Sequence, residues 1–424
     1  MKLILGCIAD DFTGATDIAS VLRREGMQVL QINGVPDNEK NYPLDVDVVV
    51  VALKSRTQPV QEAVADSVAA CDWLMKQGVL QVFFKYCSTF DSTPEGNIGP
   101  VTDALMAKLN TKRTIASPAY PVNGRTVYGA NLFVHGIPLA ESPMKDHPLT
   151  PMRDSNLVRL LTSQTACQVK HINWQSVQEG RNKIQNLIDA EKEEKGVVWV
   201  VDALTDQDLI ETTYGAADMT LLTGGAALAQ GLPALYRDRQ WTEQNATKQT
   251  VSIPAGNALV LAGSCSTATR GQVEAFLAHY PGTSVDPLAL AKDEGEQQRL
   301  LNFIKEHIGK TPILVYASDS PENVAKIQNE LGQQVAGELV EQCLSSLALT
   351  ATNELGVTQL VVAGGETSGA VVSALHADTL LIGDEIEPGV PWTVMQGERK
   401  IGIALKSGNF GSKDFFLTAL NAAN

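Results

Sequence analysis

The sequence has no CxxC pair and no histidine at metal-ligand spacing from a cysteine. Its six cysteines (Cys7, Cys71, Cys87, Cys167, Cys265, Cys343) are scattered, which argues against a disulfide framework or structural zinc and fits a reducing cytoplasm. No run approaches the ~18 apolar residues of a membrane span. Basic blocks and aromatic-basic interleaving are missing, and formal net charge is −15, so nucleic acid is a poor partner. An anionic ligand must be met locally, by single Lys and Arg side chains and backbone N–H groups. The apolar start MKLILGCIADD ends in Asp-Asp without a small-residue cleavage site, and reads as a buried strand rather than a signal peptide.

What is present is ordinary for a folded soluble protein: 44% hydrophobic and 19% charged residues. At 424 residues the chain is too long for one core, and two domains are expected. Short apolar runs alternate with amphipathic segments of helix length. Expected strands are 3–9, 47–53, 80–86, 114–117, 197–202 and 219–223, with helices at 16–24, 59–77, 101–109 and 177–192. A polar break at 236–256 precedes further strands at 257–262, 312–316, 359–363, 379–382 and 400–405. Helices are expected there at 267–279, 321–331, 339–354 and 368–375. Strands that are apolar on both faces indicate a covered, parallel sheet. The expectation is therefore α/β: two domains, 1–240 and 250–424, each a mostly parallel sheet flanked by helices, with the active site in the cleft between them. Residues 118–155 break the pattern, since their Pro and Gly bar regular helix and confine any strand to an edge. Tyr120, Arg125, Tyr128 and His135 make that segment a binding or lid element rather than a linker.

Ligands of open parallel sheets bind at the carboxyl ends of strands, so residues at those ends are informative. Asp10 and Asp11 follow the first strand, and Lys54, Ser55 and Arg56 follow the second. KYCSTFDSTPEGNIG supplies Lys85, Ser88, Thr89, Asp91, Ser92 and Asn97 after the third. Helix capping explains one polar residue per junction, with Asp10, Asp11 and Thr13 all able to cap the first helix. The remainder suits a small polyhydroxy acid, because Arg grips carboxylates with paired N–H bonds and Asp accepts from sugar hydroxyls.

In the second half, VLAGSCSTATRGQ, VVAGGETSGAVV and ALKSGNFGSKDFF each join a strand to a helix through small residues. Such turns bring backbone N–H groups to a phosphate. Neither GxxxxGK[ST] nor GxGxxG occurs, yet three glycine-rich turns suit a nucleoside triphosphate. Asp384, Glu385 and Glu387 in IGDEIEPGVPW read as an exposed acidic loop, or as help in holding Mg2+.

Together ADDFTGATD, KYCSTFDSTPEGNIG, SPAYPVNGRTVYGANLFV, LAGSCSTATRGQ, AGGETSGAVV and KSGNFGSKDFF resemble the four-carbon acid sugar kinase family, most of all its 3-oxo-tetronate kinase branch. Ala130 in YGANLF is a departure, at a place where glycine is expected. The resemblance implies an N-terminal domain for the acid sugar, a C-terminal domain for ATP, and a 4-phosphate product. It implies substrate contacts at Asp10, Asp11, Arg56, Lys85, Asp91, Tyr120 and Arg125. Nucleotide contacts fall at Ser264, Gly364, Gly365, Glu366, Thr367 and Gly408. The mechanism implied is in-line transfer from ATP·Mg2+, with Arg56 or Lys85 on the carboxylate and Asp11, or else Asp91, orienting the hydroxyl. Neither nucleic acid nor membrane is a partner in this reading, the cytoplasm is the compartment, and a homodimer is the default assembly. D-Threonate or D-erythronate kinase, a sugar-acid lyase and a non-catalytic sugar-acid sensor are the alternatives.

Overall fold

Runs such as LGCIA, VVVVA and VVWVV are apolar at consecutive positions, so both faces of each strand must be covered. In the computed structural model they are fully buried. The structure describes residues 3–146, 150–191, 195–242, 250–397 and 399–423. The fold is α/β, and the chain divides into two compact units, Met1–Gln249 and Thr250–Asn424.

The first unit contains β1 (Leu5–Ala9), β2 (Val29–Asn33), β3 (Val48–Ala52), β4 (Gln81–Lys85), β5 (Arg113–Ser117), β6 (Arg125–Tyr128), β7 (Asn131–Val134), β8 (Ile137–Pro138), β9 (Gln168–Ile172), β10 (Val197–Val201) and β11 (Leu221–Gly224). Eight of these run parallel in the order β2-β3-β1-β4-β11-β5-β10-β9. β1 thus has later strands on both sides. The chain leaves it toward β2 and β3 on one flank and resumes with β4 on the other. This is a topological switch point, where helices diverge and leave a crevice above the strand ends.

The second unit contains β12 (Asn257–Ala262), β13 (Gly282–Ser284), β14 (Ile313–Tyr316), β15 (Val357–Ala363), β16 (Thr379–Glu387), β17 (Val390–Met395) and β18 (Gly402–Lys406). Their order is β13-β14-β12-β15-β18-β17-β16, parallel through β18, with β17 antiparallel to both of its neighbours. β12 repeats the situation of β1, flanked by β14 and β15, so a second switch point lies at its end. Val260, Phe276, Val361, Trp392, Phe415 and Phe416 belong to this unit's core.

Several expectations change. Residues 118–155 are not wholly irregular, because β6, β7 and β8 form a separate antiparallel sheet. Pro138 lies in its outer strand, where a missing N–H is tolerated. The helix expected over 177–192 is two helices, Trp174–Gln178 and Arg181–Asp189, separated at Gly180 with φ 89°. Its expected end at Lys192 lies outside the described residues, as do 147–149 of the Pro-rich segment and 243–249 of the polar break. The acidic stretch 384–387 is strand rather than loop.

Candidate sites at the strand ends of each unit

In the first unit, Ala9 is in register with Ala52 on one side and Lys85 on the other, so three strands end level. The chain turns there into the helix Phe12–Arg24, and Asp11 is its N-cap. Gly14 N–H donates to Asp11 Oδ1 (2.9 Å) and the Thr13 hydroxyl to Oδ2 (2.8 Å). Among the carboxylates of ADDFTGATD, Asp11 therefore does the capping. Asp10 is buried and Arg56 is its partner, with Nε to Oδ2 at 2.8 Å and Nη2 to Oδ1 at 2.9 Å. The same Nη2 reaches Asp11 Oδ1 at 2.8 Å, and Nη1 lies 3.6 Å from Asp91 Oδ2.

Arg56 is held from the backbone too. Its N–H donates to Asp10 O (3.2 Å), while Asn97 Nδ2 donates to the carbonyls of Ser55 (2.7 Å) and Gln58 (2.9 Å). Asp91 accepts from the Thr89 hydroxyl at 2.6 Å. Lys85 is buried at the end of β4, and a side chain on Gly14 would collide with both its Nζ and Asp11 Oδ1. Its ammonium therefore lies beside Asp11 over the first helical turn. Three carboxylates thus meet two cations.

Burial pushes the Asp11 carboxyl up, but Arg56, Lys85, the Thr13 hydroxyl and Gly14 N–H outweigh it, and the group is held below its usual range. Asp10 goes the other way, because burial outweighs the pull of Arg56. Burial pulls Arg56 down, yet Asp10 and Asp11 more than compensate and keep it a cation.

Two of the residues expected at this site lie differently. The Tyr120 hydroxyl donates to Asp17 Oδ1 (3.3 Å), which ties Tyr120 to the helix that Asp11 caps. Arg125 exchanges backbone bonds with Tyr120 and spends guanidinium N–H on Asn123 O, and no hydrogen bond or ion pair joins it to Asp10, Asp11 or Asp91 among the described residues. Arg56, expected along with Lys85 as a grip for a substrate carboxylate, gives Nε and Nη2 to carboxylates of the protein, while its Nη1 makes no hydrogen bond among the described residues. Residue types could not show that, because pairing depends on register.

In the second unit the three glycine-rich turns follow β12, β15 and β18, which are neighbours, so the turns adjoin. Ser264 N–H donates to Ala363 O (3.2 Å) and Gly364 N–H to Lys406 O (2.9 Å). Gly364 has φ 126°, a region closed to most side chains, and a methyl there would crowd Thr367 Oγ1 at 3.1 Å and Ser264 N at 3.2 Å. A side chain on Gly408 would collide with Ser264 Oγ. The helix Gly365–Ala374 starts at this turn without a side-chain cap, so its first N–H groups have no side-chain acceptor. Gly365 faces open space, Glu366 is exposed and Thr367 is buried. Ser264, Gly364, Gly365, Glu366, Thr367 and Gly408 are thus brought together. Of the acidic stretch, Glu385 accepts from Gly389 N–H (2.8 Å) and Glu387 from Ser412 N–H and Oγ–H (both 2.6 Å).

Comparison with known proteins gives a consistent picture. A family model described as a sugar-binding N-terminal domain matches residues 5–232, and one described as a nucleotide-binding C-terminal domain matches 259–416. A curated Pseudomonas fluorescens protein named 3-oxo-tetronate kinase is 49% identical over 419 residues, covering 98% of this chain and 96% of its own length. A Burkholderia multivorans protein of the same name is 48% identical over 421 residues, covering 99% and 97%. A crystal structure from Salmonella typhimurium LT2 matches with TM-score 0.88 at 43% identity over 99% of both chains. Haemophilus influenzae protein HI1011 matches with TM-score 0.78 at 39% identity, covering 99% of this chain and 100% of that one.

Proposed function

We propose a function from one premise: the chain belongs to the four-carbon acid sugar kinase family, with 3-oxo-tetronate kinases among its relatives, and is a phosphotransferase. The reaction we infer is transfer of the terminal phosphoryl group of ATP to the 4-hydroxyl of a four-carbon acid sugar, 3-oxo-tetronate before others. The observation that carries this reading is the array Asp10–Arg56–Asp11 with Lys85 and Asp91, at a switch point inside the stretch matched as sugar-binding. Residues 1–240 would hold the acid and 250–424 the nucleotide.

The geometry distributes the roles. Arg56 gives Nε and Nη2 to Asp10 and Asp11 and so fixes those carboxylates, while Nη1, 3.6 Å from Asp91, keeps its donors for a substrate oxygen. Lys85 makes no hydrogen bond from Nζ among the described residues, and it is our choice to receive the acid's carboxylate. Asp11 Oδ2 accepts only from Thr13, which leaves it a lone pair for the reacting hydroxyl. A carboxylate held below its usual range is a weak base, yet phosphoryl transfer through a loose transition state asks for orientation more than for proton abstraction. Asp91, with Oδ2 3.6 Å from Arg56, is the second choice. Arg125 keeps donors beyond the one spent on Asn123 and remains a candidate contact for a substrate oxygen.

ATP would be taken as its Mg2+ complex. Its phosphates would meet the uncapped N-terminus at Gly364-Gly365-Glu366-Thr367 and the turns at Ser264 and Gly408, with exposed Glu366 available to the cation. The test is ADP release with Mg2+-ATP against a panel of four-carbon acids that includes freshly made 3-oxo-tetronates. Turnover concentrated on the 3-oxo acids is expected. Turnover only with threonate or erythronate would move the substrate, and no ADP release from any acid would overturn the reading.

A further inference from the structure

Lys406 ends β18 and is fully buried, where an ammonium is costly unless it is surrounded by acceptors. Its Nζ donates to the carbonyls of Ser407 (3.0 Å), Gly408 (3.0 Å) and Phe410 (3.1 Å), and to Thr269 Oγ1 (3.1 Å). The Gly408 carbonyl also accepts from the hydroxyls of Ser266 (2.5 Å) and Thr269 (2.9 Å). Gln272 Nε2 takes the carbonyls of Phe410 (3.0 Å), Gly411 (3.1 Å) and Ser412 (2.9 Å). The carbonyls of residues 407, 408, 410, 411 and 412 therefore all point inward, at Lys406 and at the helix Thr267–Leu277.

In a trans peptide the N–H points opposite to the carbonyl of the preceding residue. Five inward carbonyls turn the N–H groups of residues 408, 409, 411, 412 and 413 outward. One of these already holds an anion, since Ser412 N–H donates to the Glu387 carboxylate. Those of Gly408, Asn409 and Gly411 have no acceptor among the described residues, and they lie on the turn whose Gly408 packs against Ser264.

We propose that Lys406 is a positioning residue for nucleotide binding: its ammonium gathers the carbonyls of residues 407, 408 and 410 and so presents the N–H groups of Gly408, Asn409 and Gly411 to the phosphates. The inference rests on the reading that this unit binds ATP. Lys406 touches no ligand itself and acts through the turn. Burial pulls its ammonium down to about 7, with Glu387 pulling the other way.

The experiment uses the full chain, with ATP binding by calorimetry and amide exchange of the peptide covering 407–413. In the wild type, ATP should slow exchange at residues 408, 409 and 411. Lys406→Met should weaken ATP binding roughly 30-fold, the size expected for losing charge-assisted hydrogen bonds. The KM for ATP should rise with it, while the KM for the acid moves less than about threefold, a split that general damage would not produce. Thr269→Val keeps shape and removes only the hydroxyl between Lys406 and the Gly408 carbonyl, so it decides the matter if Lys406→Met does not fold. An intermediate loss, roughly threefold to tenfold, is expected of it. Wild-type ATP affinity in folded Lys406→Met or in Thr269→Val would overturn the proposal, as would ATP binding that leaves exchange at 407–413 unchanged. A wild-type protein that binds no ATP would instead overturn the reading on which it rests.

Discussion

Asp11 carries two roles that one substitution separates. Asn caps helices as well as Asp does, so Asp11→Asn keeps the bond from Gly14 N–H while it removes the charge and turns the Oδ2 acceptor used by Thr13 into an NH2 donor. We expect kcat to fall about 100-fold or more while the acid still binds. Turnover within about threefold of wild type would remove Asp11 from the reaction. The same variant tests electrostatics. Because Asp11 is held below the usual range, its ionised form stabilises the fold above the unfolded value near 4. That contribution disappears as pH falls through the lower folded value. Wild-type melting temperature should therefore decline more steeply than that of Asp11→Asn on the acid side of about pH 4, and parallel curves would contradict this. Asp10, raised by burial and in part by the Asp11 charge, has the opposite sign, and its window lies above about pH 4, outside this comparison. The sequence showed that acids and cations gather at these strand ends. It could not show which acid caps, or that Arg56 gives Nε and Nη2 to Asp10 and Asp11, because both depend on where β1, β3 and β4 stop relative to one another.

At the scale of elements, the turn after β15 is the most demanding. Gly364→Ala forces a methyl into φ 126° against Thr367 and Ser264, which should cost about 1–3 kcal/mol. Denaturant unfolding of this variant, with ATP titration beside it, should show both lower stability and weaker nucleotide binding. Unchanged values of both would mean that the turn relaxes freely. Legibility varied with the kind of strand. Continuous apolar runs such as β3 and β10 are plain in the sequence, and the helix Pro321–Leu331 begins and ends at its expected residues. β2 was missed because VLQIN carries a fully buried Gln31, whose polarity hides the run. β9 was missed because QVKHI is a partly exposed edge strand, and β17 because Pro391 interrupts its pattern. In each case tertiary context outweighs local propensity.

At the scale of the whole molecule, each unit has its candidate residues at the first strand with later neighbours on both sides, β1 in one and β12 in the other. Amide exchange should therefore show two separate footprints. A four-carbon acid should protect residues 10–14, 54–58 and 85–92, and ATP should protect 264–267, 364–368 and 407–413. An acid that protects only the second set, or ATP only the first, would reverse the assignment of the units. This level of organisation was legible in outline, since alternating strands and helices with polar residues at strand ends already imply such crevices. The inward carbonyls around Lys406 were not, because a lysine following IGIAL in the sequence says nothing about five peptide planes.

The charges around Arg56 also bear on how such a site can drift over time. Asp10 loses both of its Arg56 bonds and is left as a buried carboxyl if Arg56 is exchanged, and Arg56 loses its two-pronged partner, keeping Asp11 and the more distant Asp91, if Asp10 is lost. Each single exchange costs several kcal/mol by general experience with buried pairs, although replacing a whole set can be nearly neutral. A lineage that alters its preferred acid is therefore expected to leave this set untouched and to accept substitutions around Arg125, where fewer partners depend on the residue. The rigid part of the site is its inheritance, and its freedom to vary lies at the rim.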